Sequence, residues 1–311
     1  MVDLILFGDC KETLKQFPRG SAQMCVTSPP YYGLRDYGGE ANQIGQEETP
    51  EEFVNNLVEV FREVRDVLKD DGVLWLNIGD SYYNYRPGTG GLPKQTVSRT
   101  SQDLPTQCNR RANKLDGLKE KDLIGIPWML AFALRADGWY LRQDIIWHKP
   151  NPMPESVKDR CTKSHEYIFL LSKNKKYYYD NEAIKEPVKQ DWGTRNRDAG
   201  KYHNPGTGLQ PHSGLTKSYE RKNKRDVWSI TNKPYKGAHF ACFPPDLIEP
   251  CILSGSRKGD VILDPFMGSG TTAMVAKQHD RSYIGCELHE DYGSLIQKRL
   301  KAIPTKLPFD M

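Results

Sequence analysis

Ser28-Pro29-Pro30-Tyr31 follows directly on an apolar run from Gln23 to Thr27. Two consecutive prolines fix φ and remove N–H donors, so this turn is stiff and its remaining polar groups are acceptors, the Ser28 hydroxyl and the Pro29 carbonyl. Tyr31 sets an aromatic face beside them. Such a segment can grip an amino group and stack on the ring that bears it. A second set lies near the other end, Asp264-Pro265-Phe266-Met267-Gly268-Ser269-Gly270-Thr271-Thr272, where a strand passes into a helix. Glycines there permit a tight turn and close backbone approach to a ligand, and the free N–H groups of the first helical turn suit a carboxylate or another anion. Glu287 closes the next strand about twenty residues on, where an acid can accept from both hydroxyls of a ribose. Together these residues describe a nucleoside-cofactor site. The full dinucleotide pattern is absent, because Ala273 stands where its third glycine would be, and no phosphate-binding Walker loop occurs.

The elements that must position these residues follow from periodicity. Leu4–Phe7, Gln23–Thr27, Val73–Ile78, Tyr140–Trp147, Glu166–Ser172, Val261–Leu263 and Tyr283–Glu287 read as strands. Helical spacing marks 11–17, 50–68, 123–135, 246–253, 270–278 and 292–300. In the second of these Thr49 is the N-cap, Glu52 completes a capping box, and Asp71-Gly72 marks the end. Alternating strands and helices predict an α/β fold, a parallel or mixed sheet covered by helices on both faces. Periodicity collapses between Asn181 and Gly237, which reads as an inserted lobe or long binding loops.

At 311 residues the chain can bury one large core. Seven cysteines without a C-x-x-C pair argue against a disulfide framework and against a zinc site, so a reducing cytoplasm is expected and no metal. No apolar run reaches 18 residues, and no membrane span or signal peptide is expected. The net charge is only +4, but it is polarised. Residues 181–236 hold twelve Lys or Arg against six acids, and residues 84–121 hold eight against three. These stretches carry a surplus of eleven positive charges and leave the remainder at minus seven. That distribution suits a surface tracking phosphates, with Arg195, Arg197, Arg221, Lys222, Lys224 and Arg225 as candidate contacts.

Both motifs resemble those of DNA methyltransferases that modify exocyclic amino groups, and their order resembles the circularly permuted β group of that family. The resemblance implies a Rossmann-like S-adenosylmethionine-dependent methyltransferase sheet with an inserted DNA-recognition region. Residues 1–180 would form the catalytic half with a basic loop at 84–121, residues 181–237 the recognition insertion, and residues 238–311 the cofactor half. It implies that Ser28, Pro29, Pro30 and Tyr31 are catalytic. It implies that Glu287 binds ribose, that Asp9 reaches adenine, and that Asp264, Phe266, Gly268, Ser269, Gly270 and Thr271 form the cofactor loop. His239 to Pro245, with Phe243, resembles the segment packing against the methionine end. The partner implied is double-stranded DNA in a bacterial, archaeal or phage-infected cell, with a cognate restriction endonuclease as a candidate and the enzyme a monomer or homodimer.

The chemistry agrees with these residue types. An exocyclic amino nitrogen is a poor nucleophile because its lone pair is delocalised, and two acceptors on its hydrogens favour a pyramidal nitrogen. The target atom is hidden in a duplex, so the base must be flipped out and held by an aromatic face. Cytosine carbon methylation would need a cysteine nucleophile, and Pro250-Cys251 lies inside a predicted helix without the following Gln of that family. The family mostly pairs Ser-Pro-Pro-Tyr with cytosine N4 and Asp-Pro-Pro-Tyr with adenine N6, which favours cytosine and keeps adenine as the alternative. A non-catalytic DNA- or cofactor-binding module and a methylator of RNA or protein stand further off. Trp147 to Pro152 follows a strand near the expected catalytic edge, and Asp80-Ser81-Tyr82-Tyr83 has similar standing. Tyr177-Tyr178-Tyr179 reads as core plus surface rather than as a stacking platform.

Overall fold

The computed structural model describes residues 3–33, 43–83, 117–188, 220–232 and 243–303. In chain order the elements are β1 (Leu4–Phe7), α1 (Cys10–Thr13), a 3₁₀ turn at Leu14–Gln16, β2 (Ala22–Thr27), α2 (Pro50–Val67) and β3 (Leu68–Ile78). Then come α3 (Ile126–Ala136), β4 (Tyr140–His148), β5 (His165–Ser172), β6 (Glu186–Pro187), β7 (Arg221–Lys222) and β8 (Val227–Ser229). The last elements are α4 (Pro245–Gly255), β9 (Val261–Asp264), α5 (Thr271–Gln278), β10 (Ser282–Glu287) and α6 (Tyr292–Lys301).

Eight strands form one sheet in the order β1-β10-β9-β2-β3-β5-β4-β8. All neighbours from β1 to β3 are parallel, β5 runs against both β3 and β4, and β8 is parallel to β4. The α/β architecture is therefore as the sequence predicts. The late strands β9 and β10 lodge between β1 and β2, which are consecutive in the chain.

Alternation along β3 explains the two covered faces. Leu74, Leu76 and Ile78 join a core under α2 and α3, with Phe53, Leu57, Phe61 and Leu130. Val73 and Trp75 join a second core under α4 and α5, with Ile248, Ile252, Val275 and Ala276. In α2 the stripe of Phe53, Leu57, Val60, Phe61 and Val64 is fully buried, and the capping box is complete, with Thr49 Oγ1 accepting from Glu52 N and Glu52 Oε2 from Thr49 N.

Three expectations are corrected. The helix expected at 50–68 ends at Val67, before Gly72, because Leu68 is already extended and pairs with Ala22. Gly72 serves a bulged strand instead: a Cβ there would lie 2.8 Å from the Lys69 carbonyl and 3.0 Å from that of Gln23. The helix expected at 11–17 is one α turn followed by a 3₁₀ turn. Finally, the stretch 181–237 is not wholly separate from the main sheet, because β8 pairs with β4 and buries Trp228, whose ring stands 6.3 Å from that of Trp75. A three-residue strand is too short to show periodicity. Arg195, Arg197 and most of 84–121 lie outside the described residues, as do 239–242. No described helix is long and apolar enough to cross a membrane.

Candidate functional site

The carboxyl ends of the parallel strands and the start of the reversed β5 share one edge of the sheet, where open α/β folds place their ligands. Ser28 follows β2, Gly79 follows β3, Lys149 follows β4, the glycine loop follows β9, and Glu287 ends β10. Gly8 donates to the Glu287 carbonyl at 2.8 Å, so Asp9 is carried in beside Glu287.

In the loop after β9, Gly268 and Gly270 take φ of +53° and +79°, and Gly270 is the N-cap of α5. No side chain caps this helix, so its first N–H groups face the edge without a local acceptor among the described residues. Glu287 is buried, and its carboxylate accepts from Gly268 N at 2.7 Å and His289 N at 3.0 Å. Burial raises its pKa against those two N–H groups, which pull it down. Each oxygen keeps a lone pair beyond the bond it has made. Ser269 and Thr271 turn their hydroxyls to Arg299 Nη1 of α6, at 2.6 and 2.8 Å. Phe266 and Phe243 are partly buried beside the cores.

Asp264 works inward. Its oxygens accept from Thr27 Oγ1 and Thr272 Oγ1, each at 2.6 Å, and from Phe266 N at 3.0 Å. It is 1% exposed, and burial pushes its pKa up to about 6 in spite of these donors. The carboxyl thus ties the last residue of β2 to the glycine loop, and Ser28 is the next residue along. Asp9 is likewise engaged, accepting from Lys11 N at 2.8 Å as the N-cap of α1.

At the proline turn Pro29 is buried while Ser28 and Tyr31 are half-buried. Neither Ser28 Oγ nor the Pro29 carbonyl is bonded to another described residue, which leaves two acceptors side by side. Tyr31 donates its hydroxyl to Glu166 Oε2 at 2.7 Å. Asn77 Nδ2 donates to the same oxygen at 3.3 Å and to the Tyr167 carbonyl at 3.1 Å, and Lys149 Nζ is ion-paired with Glu166 Oε1. Lys163 bonds the Asp80 carbonyl at 2.5 Å nearby, and burial lowers its pKa. The Asp80 side chain caps α3 from a distance, accepting from Gly125 and Ile126 N–H groups.

The structure therefore brings together Ser28–Tyr31, Asp264–Thr271 and Glu287 at one edge, with Asp9 beside Glu287. Sequence reasoning misses the Asn77–Lys149–Glu166 network; it marks the segment from Trp147 to Pro152 without distinguishing Lys149 within it. His148 bonds Ser229 on β8 at 3.0 Å, away from Glu166. Arg221 donates to the Lys185 carbonyl at 2.7 Å, Arg225 pairs with Glu186 at 2.7 Å, and Lys224 lies over Trp228 at 5.0 Å. Arg221 and Arg225 are exposed and Lys224 is half-buried, and of the three Arg225 is the one paired with an acid among the described residues. Burial raises the thiol pKa values of Cys10, Cys25, Cys251 and Cys286, so none of these four supplies a thiolate. Among the described residues no cluster could hold a metal ion.

Comparison with known proteins shows the family of the chain. The sequence model of the N6/N4 methyltransferases, described as DNA methylase, matches residues 22–298. The chain is 48% identical over 301 residues to the Type II methyltransferase M.SmaI of Serratia marcescens, covering 95% of this chain and 90% of the relative. It is 46% identical over 300 residues to the Type II methyltransferase M.Cfr9I of Citrobacter freundii, covering 96% and 88%. Among solved structures, the PvuII DNA methyltransferase (cytosine-N4-specific) superposes with a TM-score of 0.62 at 18% identity, over 97% of this chain and 87% of that one. A putative DNA modification methylase from Thermus thermophilus, complexed with S-adenosyl-L-methionine, gives a TM-score of 0.59 at 23% identity, over 97% and 95%. These two likenesses concern the fold.

Proposed function

The chain belongs to the N6/N4 family of DNA methylases, and from that premise we propose that it methylates the exocyclic N4 of cytosine in double-stranded DNA, using S-adenosylmethionine. The observation that carries this reading is the turn at Ser28–Tyr31, where two acceptors unengaged among the described residues stand just beyond the hydrogen bond from Thr27 to Asp264 of the glycine loop. Its neutral serine favours cytosine within the family. The lodging of β9 and β10 between β1 and β2 supports the permuted arrangement.

The edge fits S-adenosylmethionine. Glu287 retains lone pairs for ribose hydroxyls, Asp9 stands beside it for the adenine, and the uncapped N-terminus of α5 suits the amino-acid carboxylate. Phe243 and Phe266 supply apolar surface for the methionine end. When bound, S-adenosylmethionine supplies an electrophilic methyl group whose bond to sulfur breaks as the bond to nitrogen forms.

The chain's own residues do the rest. A base flipped from the duplex stacks on Tyr31. Ser28 Oγ and the Pro29 carbonyl accept the two amino hydrogens, which turns the nitrogen lone pair outward. Positioning and preorganised acceptors provide the rate, with no covalent enzyme intermediate. The methylated nitrogen is cationic and releases its proton to solvent, so the site needs no strong base. Arg221, Lys222, Lys224 and Arg225 meet backbone phosphates, at a strength reduced by Glu186. The Type II names of its relatives support a role beside a cognate restriction endonuclease.

The test is methylation of duplex DNA by the purified chain with S-adenosylmethionine, followed by mass analysis of the nucleosides. N4-methylcytosine is expected. N6-methyladenine alone would replace the base, and neither product would overturn the proposal.

A further inference from the structure

Glu166 belongs to neither motif, yet it is the point at which three strands meet the proline turn. Its side chain is 13% exposed, its Oε2 receives the Tyr31 hydroxyl at 2.7 Å and Asn77 at 3.3 Å, and its Oε1 is ion-paired with Lys149, itself 17% exposed. Lys149 also lies over the Trp147 ring at 4.2 Å, which holds the ammonium in place from the other side. Behind Tyr31 the backbone comes close: a Cβ on Gly79 would sit 2.8 Å from Tyr31 Cε2 and 3.4 Å from the Glu166 carboxyl carbon. The ring is thus fixed at its edge by backbone and at its tip by a carboxylate.

A nearly buried ion pair is a poor way to gain stability, since its desolvation cost rivals its Coulombic gain and an apolar pair of similar volume often serves as well. What such a pair does supply is a fixed geometry. A tyrosine meant to receive a flipped base must keep its ring in one orientation, because a misplacement of about 1 Å can cost roughly 100-fold in rate.

We propose that Glu166, held by Lys149 and Asn77, is a positioning residue that fixes the Tyr31 ring to receive the target base. It acts through Tyr31 and does not touch the transferred methyl group. The inference rests on the methyl-transfer reading above.

The test is a mutant cycle on the single-turnover methylation rate and on cofactor affinity. Tyr31→Phe removes only the hydroxyl. Lys149→Met with Glu166→Leu removes the short acceptor, leaving only Asn77 Oδ1 at 3.4 Å from the hydroxyl, and keeps charge and volume balanced, so the fold should survive, with thermal unfolding as the check. Each change should lower the rate roughly tenfold, the worth of one hydrogen bond, with affinity for S-adenosylmethionine unchanged. All three together should fall no further than the worse of the two. Additive losses, or a wild-type rate in either variant, would overturn the inference while leaving the proposed function standing. A wild-type chain that methylates no DNA would overturn both.

Discussion

The glycine loop and the proline turn stand at the same sheet edge, but different kinds of contact hold them. The loop is secured largely by its own neighbourhood: Asp264 takes Phe266 N and Thr272 Oγ1, and Glu287 takes His289 N and Gly268 N. The turn is secured from across the molecule, with Tyr31 bonded to Glu166, 135 residues away, and Glu166 to Asn77, 89 residues away. A cofactor site built from backbone N–H groups tolerates little change in chain shape. Under the proposed function the turn receives a flipped base, which needs a ring held from several strands. Cofactor binding and base positioning should therefore be open to separate damage.

Three substitutions break or sharpen this contrast. The largest effect is expected of Ser28→Ala, which should slow methyl transfer by roughly 10²-fold or more, as loss of one preorganised polar contact at a reacting centre does. Cofactor affinity should stay near that of the wild type by calorimetry; equal loss of both would show that the halves are not separable.

Next is Asp264→Asn, which probes the buried carboxyl that joins the glycine loop to the end of β2. Its folded pKa, about 6, lies above the ordinary 3.8, so the folded state binds the proton more tightly. Its contribution is therefore fully present below pH 3.8 and is lost as pH rises through about 6, a cost of about 3 kcal/mol at neutral pH. The variant should lack this decline. Urea unfolding across that window would show parallel profiles for the two chains if the carboxyl does not titrate as described.

Glu287→Ala should have the smallest effect on the reaction itself. Cofactor affinity should fall about tenfold, in line with loss of hydrogen bonds to a charged group, while the rate at saturating cofactor changes less. Unchanged affinity would remove Glu287 from the ribose.

The same contrast explains what is legible in the sequence. Ser28–Tyr31, the glycine loop and Glu287 stand out because each is a short segment whose residue types carry their own reason. So does α2, whose stripe and capping box are local. Glu166 does not, because an acid in an apolar strand discloses its role only once Tyr31, Asn77 and Lys149 converge on it. Asp264 reads from its motif as a cofactor residue, whereas its oxygens point into the protein toward Thr27, 237 residues earlier. Asp80 capping α3 across 46 residues, and Gly72 relieving a bulge rather than ending a helix, depend equally on partners that no local pattern reveals.

The pairing of β2 with β9 also bears on how the chain is made. The sheet's centre joins residues 22–27 to residues 261–264, so an emerging chain carries β2 with one edge unpaired until the late strand has left the ribosome. Contacts of such separation form slowly and leave strand edges exposed to wrong partners meanwhile. The Thr27–Asp264 bond closes only after that, so the link between the proline turn and the glycine loop is made late, whereas Tyr31, Asn77 and Glu166 belong to segments that have all emerged by the end of β5. A chain that stops short of β9 lacks the glycine loop, and its Thr27 has no Asp264 to bond.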